Sequence, residues 1–368
     1  MKRYAAASAA LIASGVAAQA GGLDRDPLTT SILFEEGTYV ELSYSNVSPE
    51  VSGVGVNGPF AGRLSGDMAD RYSIGRLSFR QDISEELSFA LISSEPYGAN
   101  VVYPVSTYPF SNSTATLSTN QLTGALRYEF SNGFSAYAGV NALAVDANVF
   151  VSTPLFTYQL NAESDYEWGY MAGVAYERPD IALRVALTYF SEIDLGMTGA
   201  ENPGAAGGTP VPTTTAFNVT MPESLLLEVQ SGVAENTLVF GSVRWTGWDG
   251  FQIRPNRYPA GSLVNYTSDV YTYSLGVGHR LNENWAISAN VGYEASQGGF
   301  SGNLGPTDGR RSLGLGVEYS RSNYSVAAGV QRIEIGDAQT ILSNTGPLTS
   351  AFTDNSATAF GIRFGYQF

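Results

Sequence analysis

Ala359-Phe360-Gly361-Ile362-Arg363-Phe364-Gly365-Tyr366-Gln367-Phe368 closes the chain and decides its fold. Phe360, Ile362, Phe364, Tyr366 and Phe368 fall on one side of an extended strand. Ala359, Gly361, Arg363, Gly365 and Gln367 fall on the other. Side chains alternate across a strand, so this is a period of two, not the 3.6 of a helix. A bulky face this aromatic, opposite a face of small residues, suits a strand with lipid on one side and a wet lumen on the other. Outer-membrane barrels commonly end on an aromatic residue. That makes Phe364, Tyr366 and Phe368 the candidate signal read by the barrel-assembly machinery.

The same alternation recurs upstream. Leu183, Val185, Leu187 and Tyr189 oppose Ala182, Arg184, Ala186 and Thr188. Tyr271, Tyr273, Leu275 and Val277 oppose Thr272, Ser274, Gly276 and Gly278. Similar stretches cover 125–130, 287–294 and 313–319. Between them run short turns, around Asp82–Glu85, Ser131–Gly133, Arg178–Asp180, Ala234–Asn236, Asn282–Asn284 and Arg321–Asn323. Long connections rich in Gly, Pro, Ser and Thr cover roughly 50–69, 98–117, 149–163, 196–214, 250–266, 297–309 and 337–355. Six short turns and seven long loops predict about fourteen strands. The expected fold is all-β, a transmembrane antiparallel barrel with short turns in the periplasm and long loops outside.

Composition agrees. Charged residues are 14% of the chain, against roughly 25% for a soluble domain. Tyr numbers 22 and Phe 18, and cysteine is absent. A net charge of −15 excludes nucleic acid as a partner. Lys2 and Arg3, the apolar stretch from Tyr4 to about Ala18, and the small-x-small site Ala18-Gln19-Ala20 read as a cleaved signal peptide over 1–20. Residues 21–37 form a short segment ahead of the barrel, which spans 38–368, and are read as tucked into the barrel mouth. Integral insertion into a Gram-negative outer membrane follows, with outer-membrane lipid and lipopolysaccharide around the wall.

Enzymatic motifs are missing. His279 is the only histidine. It falls on the lipid-facing phase beside a periplasmic turn, and no G-x-S-x-G elbow accompanies it. No phosphate loop, zinc-binding helix or calcium loop appears. The chain is read as a non-enzyme without cofactor or metal. The inward charges Arg127, Glu129, Glu177, Arg184, Glu228, Arg244, Glu294, Glu318 and Arg363 mix both signs. This favours a paired network filling the lumen over an ion path.

Four local motifs narrow the class. They are Leu33–Tyr39 leading to Val47–Gly53, Pro96–Asn100 with Val102-Tyr103-Pro104, Val219-Thr220-Met221-Pro222-Glu223-Ser224, and Arg244-Trp245-Thr246-Gly247-Trp248-Asp249-Gly250-Phe251. In order and spacing the chain resembles the long-chain fatty acid and hydrocarbon transporters of the FadL/TodX type, over nearly all of its length. The resemblance implies fourteen strands, an apolar groove in the outer loops, and an inward kink in the third strand through which cargo leaves sideways. The groove would draw on Val101, Val102, Tyr103, Tyr108 and Phe110, with Phe150, Leu155, Phe156 and Tyr158 from the next loop. The kink would fall at Pro96, Tyr97 and Gly98; a plain strand end and loop start is the other reading of that stretch. The chain departs from the family in its N-terminus. Fewer than twenty residues stand between the cleavage site and the first strand, and the family's Asn-Pro-Ala motif is missing, so residues 21–37 would be a reduced hatch. The resemblance implies a long-chain fatty acid or another hydrophobic small molecule as cargo. A general or substrate-selective porin for small solutes is the competing function.

Overall fold

In the computed structural model, residues 22–205, 212–341 and 349–368 are described. The stretch over 1–20 read above as a signal peptide, and parts of the expected loops at 196–214 and 337–355, lie outside them.

Fourteen antiparallel strands form one sheet that closes on itself. They are β1 (Tyr39–Glu50), β2 (Tyr72–Asp82), β3 (Leu87–Ser94 and Gly98–Val102), β4 (Thr114–Glu129), β5 (Phe134–Ser152), β6 (Phe156–Ser164 and Glu167–Arg178), β7 (Leu183–Phe190 and Ile193–Ala205), β8 (Thr213–Met221 and Ser224–Ala234), β9 (Thr237–Thr246), β10 (Val270–Arg280), β11 (Trp285–Glu294), β12 (Arg310–Arg321), β13 (Tyr324–Ile335) and β14 (Asn355–Gln367). Closure is made by β1 on β14, in register from Tyr39 against Gln367 to Glu50 against Ser356. All six expected short turns sit at one end. The strand count read from the hairpins is therefore the observed one.

The burial pattern is that of a membrane protein. On β14 the aromatic face is the exposed one: Phe360 is 53% accessible, against 0% for Ala357. Leu122, Leu126 and Tyr128 on β4 and Tyr271, Tyr273 and Leu275 on β10 are likewise exposed. A surface this apolar is stable only in hydrocarbon.

The strands are longer on the loop side than their sequence suggests. β5 continues to Ser152 and β6 resumes at Phe156, so the expected loop at 149–163 is a tight turn. β3 runs to Val102 and β4 starts at Thr114, which shortens the loop at 98–117. These extensions were hidden because their polarity is inverted. On β4 the outward residues Thr116, Ser118 and Asn120 are polar, and the inward Ala115 and Leu117 are apolar and buried. Toward the short turn, the outward residues Leu122, Leu126 and Tyr128 are apolar, while the inward Thr119, Gln121, Thr123 and Arg127 are polar and buried. β5 and β7 switch in the same way, from Val140 to Asp146 and from Leu187 to Asp194 on their outer faces.

The lumen accordingly has two storeys. Near the short turns it is filled by ion pairs: Arg127 with Glu129 and Glu177, Arg80 with Asp82, and Arg363 between Glu41 at 3.6 Å and Glu318 at 3.3 Å. Toward the loops it is apolar, with Leu143, Val145, Leu160, Leu195, Met197 and Val219 in one buried cluster.

Arg363 and Glu318 are almost wholly buried. Removing one partner of such a pair strands the other charge, so Arg363→Met is expected to cost about 3–5 kcal/mol. Urea unfolding in detergent would measure it. Adding Glu318→Met should recover part of the loss, and no recovery would mean that packing rather than charge holds this layer.

Candidate functional site: an apolar chamber beside a break in the wall

The seam between β2 and β3 is interrupted. The two strands pair from Asp82 against Ser88 to Leu77 against Ser93 and no further. β3 then breaks at Glu95-Pro96-Tyr97. Proline has no N–H to give to a ladder, and such residues sit where pairing ends. On the other flank β4 stays in register, with Gln121 opposite Ser94 and Ser118 opposite Gly98. Three residues therefore oppose two, which is a bulge. The Thr119 hydroxyl stands in for the missing ladder bonds. It donates to the Tyr97 carbonyl at 2.7 Å and accepts from the Tyr97 amide at 3.1 Å. Contact across the seam resumes toward the loops, where the Val102 amide donates to the Met68 carbonyl at 2.9 Å.

The N-terminal segment fills the interval. The Gly98 amide donates to the Leu23 carbonyl, and the Arg25 amide to the Pro96 carbonyl, both at 2.8 Å. Asp24 forms an antiparallel bridge with Tyr97. The side chains fasten the segment around the lumen. Asp26 takes a bidentate pair from Arg76 of β2, at 2.7 and 3.0 Å. Asp24 pairs with Arg244 of β9. The Arg25 guanidinium lies 4.3 Å from the Tyr72 ring and bonds to Asn100. Burial pushes the Asp26 carboxyl up, and Arg76 pulls the other way. Gly98 leaves room for Arg25, since a Cβ would sit 2.5 Å from the guanidinium carbon and push that side chain aside. Further along, Thr29 and Thr30 bond to Glu228, and Phe34 lies under Arg127 and Arg184 at 4.5 Å each.

Next to this seam is an apolar cavity of about 120 Å³. Its strand walls are Ala99, Ala115, Leu117, Ala147, Val149 and Leu160. Trp248, Ile253, Leu263 and Tyr266 close it from the loop between β9 and β10, and Gly22 and Leu23 close it from the N-terminus. Trp248 is fully buried, with Phe251 at 4.8 Å and Tyr266 at 5.2 Å in edge contact. The loop is clasped to the wall by Glu201. That buried carboxylate accepts from the amides of Asn256 at 3.1 Å and Arg257 at 2.7 Å, from the Tyr158 hydroxyl at 3.0 Å, and from Thr215. A second cavity of about 190 Å³ lies in the charged storey, lined by Arg76, Arg184, Arg310 and Arg363 together with Asp26, Glu41 and Glu228.

The residues expected from sequence take other places. Tyr103, Tyr108 and Phe110 form one aromatic cluster, with Tyr103 stacked on Tyr108 at 5.7 Å and 6.0 Å from Phe110. It is fixed by bonds from Tyr103 to Asn303 and from Tyr108 to Ser350. Phe156 and Tyr158 form another, against Tyr258. Val102 and Leu155 are exposed, and Phe150 lies on the outward phase of β5. Val101 belongs to the buried cluster that includes the chamber's strand walls. Pro96, Tyr97 and Gly98 occupy the break itself. The chamber walls were missed because alanines border a void while aromatic rings fill one. Their signal was the inward apolar phase of β4 and β5 above the polarity switch. Among the described residues no cluster of three or more metal-ligating side chains occurs.

Comparison with known proteins points the same way. No protein of curated function matches the sequence. Among solved structures, a Pseudomonas aeruginosa FadL homologue superposes with a TM-score of 0.81 at 15% identity, covering 98% of each chain. The P. putida toluene transporter TodX gives 0.69 at 14%, covering 92% of each. The monoaromatic hydrocarbon channel CymD gives 0.62 at 16%, covering 91% of this chain and 89% of that one. At these identities the likeness establishes the fold. The profile of one family matches residues 4–368. The chain, with its fourteen-stranded barrel, is therefore a member of the outer membrane protein transport protein family (OMPP1/FadL/TodX), a family of transport channels and not of enzymes.

Proposed function

We propose that this transporter takes a hydrophobic small molecule, a fatty acid or a related compound, from the outer loops into the apolar chamber and releases it sideways between β2 and β3. One observation carries the reading. Leu23 lines the chamber and, through its carbonyl, also closes the seam at Gly98. Chamber and seam thus share a wall that is a non-covalently held tail rather than a strand.

Energetics favour the sideways route over the axial one. Moving an alkyl chain out of apolar surroundings costs about 0.8 kcal/mol per methylene. The storey below the chamber is lined by arginines and carboxylates. Ten methylenes crossing it would meet a barrier of about 8 kcal/mol. The seam opens toward hydrocarbon and carries no such penalty. A porin would instead use the charged storey as its path. That storey is lined by charges of both signs, many of them paired, and the N-terminal segment crosses it, which supports the hydrophobe reading. Residues 22–37 act on this view as a compact hatch. Phe364, Tyr366 and Phe368, on the membrane face of the closing strand, serve as the assembly signal.

Two measurements test this. The chain has no cysteine, so Asp24→Cys with Tyr97→Cys gives one pair, on residues already bridged and at a separation a disulfide accepts. Oxidation should lower uptake of a labelled hydrophobe at least tenfold, with recovery on reduction and no such effect in either single variant. Unchanged uptake in the crosslinked protein would remove the lateral route. Leu160→Glu places a carboxyl in the chamber wall. Saturable binding in detergent should weaken more than tenfold while the barrel stays folded. Full binding would mean that the chamber is not the site.

A further inference from the structure

The chamber carries a more specific message about its cargo, which rests on the transport reading above and narrows it from fatty acids and related compounds to their uncharged members. Among the described residues lining it there is no Lys, Arg or His. Its one carboxylate, Asp308, is already used: it accepts from the amides of Gln297 at 2.7 Å and Gly298 at 2.8 Å. The nearest guanidiniums are committed elsewhere, Arg244 to Asp24 and Arg25 to Tyr72 and Asn100. An ionised carboxylate entering this space would lose its water and find no cation, while Asp308 would repel it. Burial of an unpaired charge is strongly unfavourable.

Of the polar side chains in the lining, one carries a buried polar atom without a hydrogen bond. The indole Nε1–H of Trp248 is fully buried and makes no hydrogen bond. Buried donors are nearly always paired, because an unmade bond forfeits hydration without return. The rings around this indole are Tyr97, Phe251 and Tyr266. Its Nε1 edge lies against Gly22, where a Cβ would come within 2.6 Å of the nitrogen. Gly22 also lines the chamber, so the donor is covered there by a backbone that has no side chain. A small shift of Gly22 presents the N–H to whatever occupies the space.

We infer that the chamber selects an uncharged hydrophobe bearing one hydrogen-bond acceptor, such as an aldehyde, ketone or ester oxygen, and that Trp248 Nε1–H is the donor that receives it. Trp248 is here a specificity-determining residue, which a purely structural tryptophan would not be. The volume of about 120 Å³ is of the order of cavities that hold a single aromatic ring, so probes of that size are suitable.

The test uses the full chain in detergent with three matched probes: toluene, benzaldehyde and benzoate, at pH 8. Benzaldehyde should bind about three- to tenfold more tightly than toluene, the worth of one hydrogen bond. Benzoate should bind at least about a hundredfold more weakly than benzaldehyde, for lack of a cation. Trp248→Phe should abolish the preference for benzaldehyde over toluene, whatever its effect on toluene binding alone. Should that variant misfold, the indole resonances of the native protein give the same answer. The sequence holds four tryptophans, and one indole N–H should move downfield with benzaldehyde but not with toluene. Benzoate binding as tightly as benzaldehyde overturns the inference. So does a benzaldehyde preference that survives Trp248→Phe, or an unmoved indole. Equal binding of toluene and benzaldehyde sinks the Trp248 assignment and leaves the transport reading standing. Failure of all three probes to bind removes both.

Discussion

A strand crossing hydrocarbon has no water with which to satisfy its amides, so every N–H and C=O must find a partner within the sheet. The rest of this molecule depends on that constraint. It forces closure of β14 on β1, and it makes any interruption of the ladder costly unless something else supplies the bonds. The interruption between β2 and β3 is tolerated because it is answered twice. The Thr119 hydroxyl serves Tyr97 from one side, and the backbone of Leu23 and Arg25 serves Gly98 and Pro96 from the other. The two substitutes differ in kind. The first is built into a strand. The second belongs to a tail held by ion pairs to Arg76 and Arg244.

The placement of polar and apolar storeys follows from the same logic at a larger scale. A closed wall with lipid outside needs apolar outward side chains, and its lumen is then free to be polar. Above the membrane the requirement reverses. Water lies outside, so the outward residues of β4, β5 and β7 become Thr, Asn, Asp and Glu, and the lumen becomes the place to bury hydrocarbon. The apolar chamber is thus what four long strands and a clasped loop enclose once they leave the bilayer. It sits beside the interruption between β2 and β3, where the N-terminal tail takes the place of a strand.

Much of the fold was legible because alternation and turn chemistry are local. The Phe360–Phe368 alternation and six tight turns suffice for a barrel and its strand number. The candidate site was less legible, and for a physical reason. The aromatic residues that stand out in the expected loops, Tyr103, Tyr108, Phe110 and Tyr158, are large, buried and occupied with one another or with Glu201. A binding space is marked by what is small around it, and Ala99, Ala115 and Ala147 give no local sign of that. The stretch 149–163 read as loop because Pro154 and its polar neighbours look like a connection. Only pairing with β5 and β7 shows that it is nearly all strand. The role of Leu23–Asp26 was likewise invisible, since its partners lie dozens to hundreds of residues away.

The polarity switch has one more consequence, for how the barrel sits rather than for what passes through it. Strands rise roughly 3.3 Å per residue, so the change from Leu122 to Asn120, or from Val140 to Asp146, occupies a narrow band of height. Sinking the barrel by two or three residues would carry Asp146, Glu192 and Asp194 into the acyl layer, at several kcal/mol for each acidic side chain driven deep. Raising it by the same amount would bring a ring of Leu, Val and Tyr into water. The inversion therefore works as a depth gauge. It fixes the heights of the interrupted seam and of the chamber beside it relative to the outer leaflet.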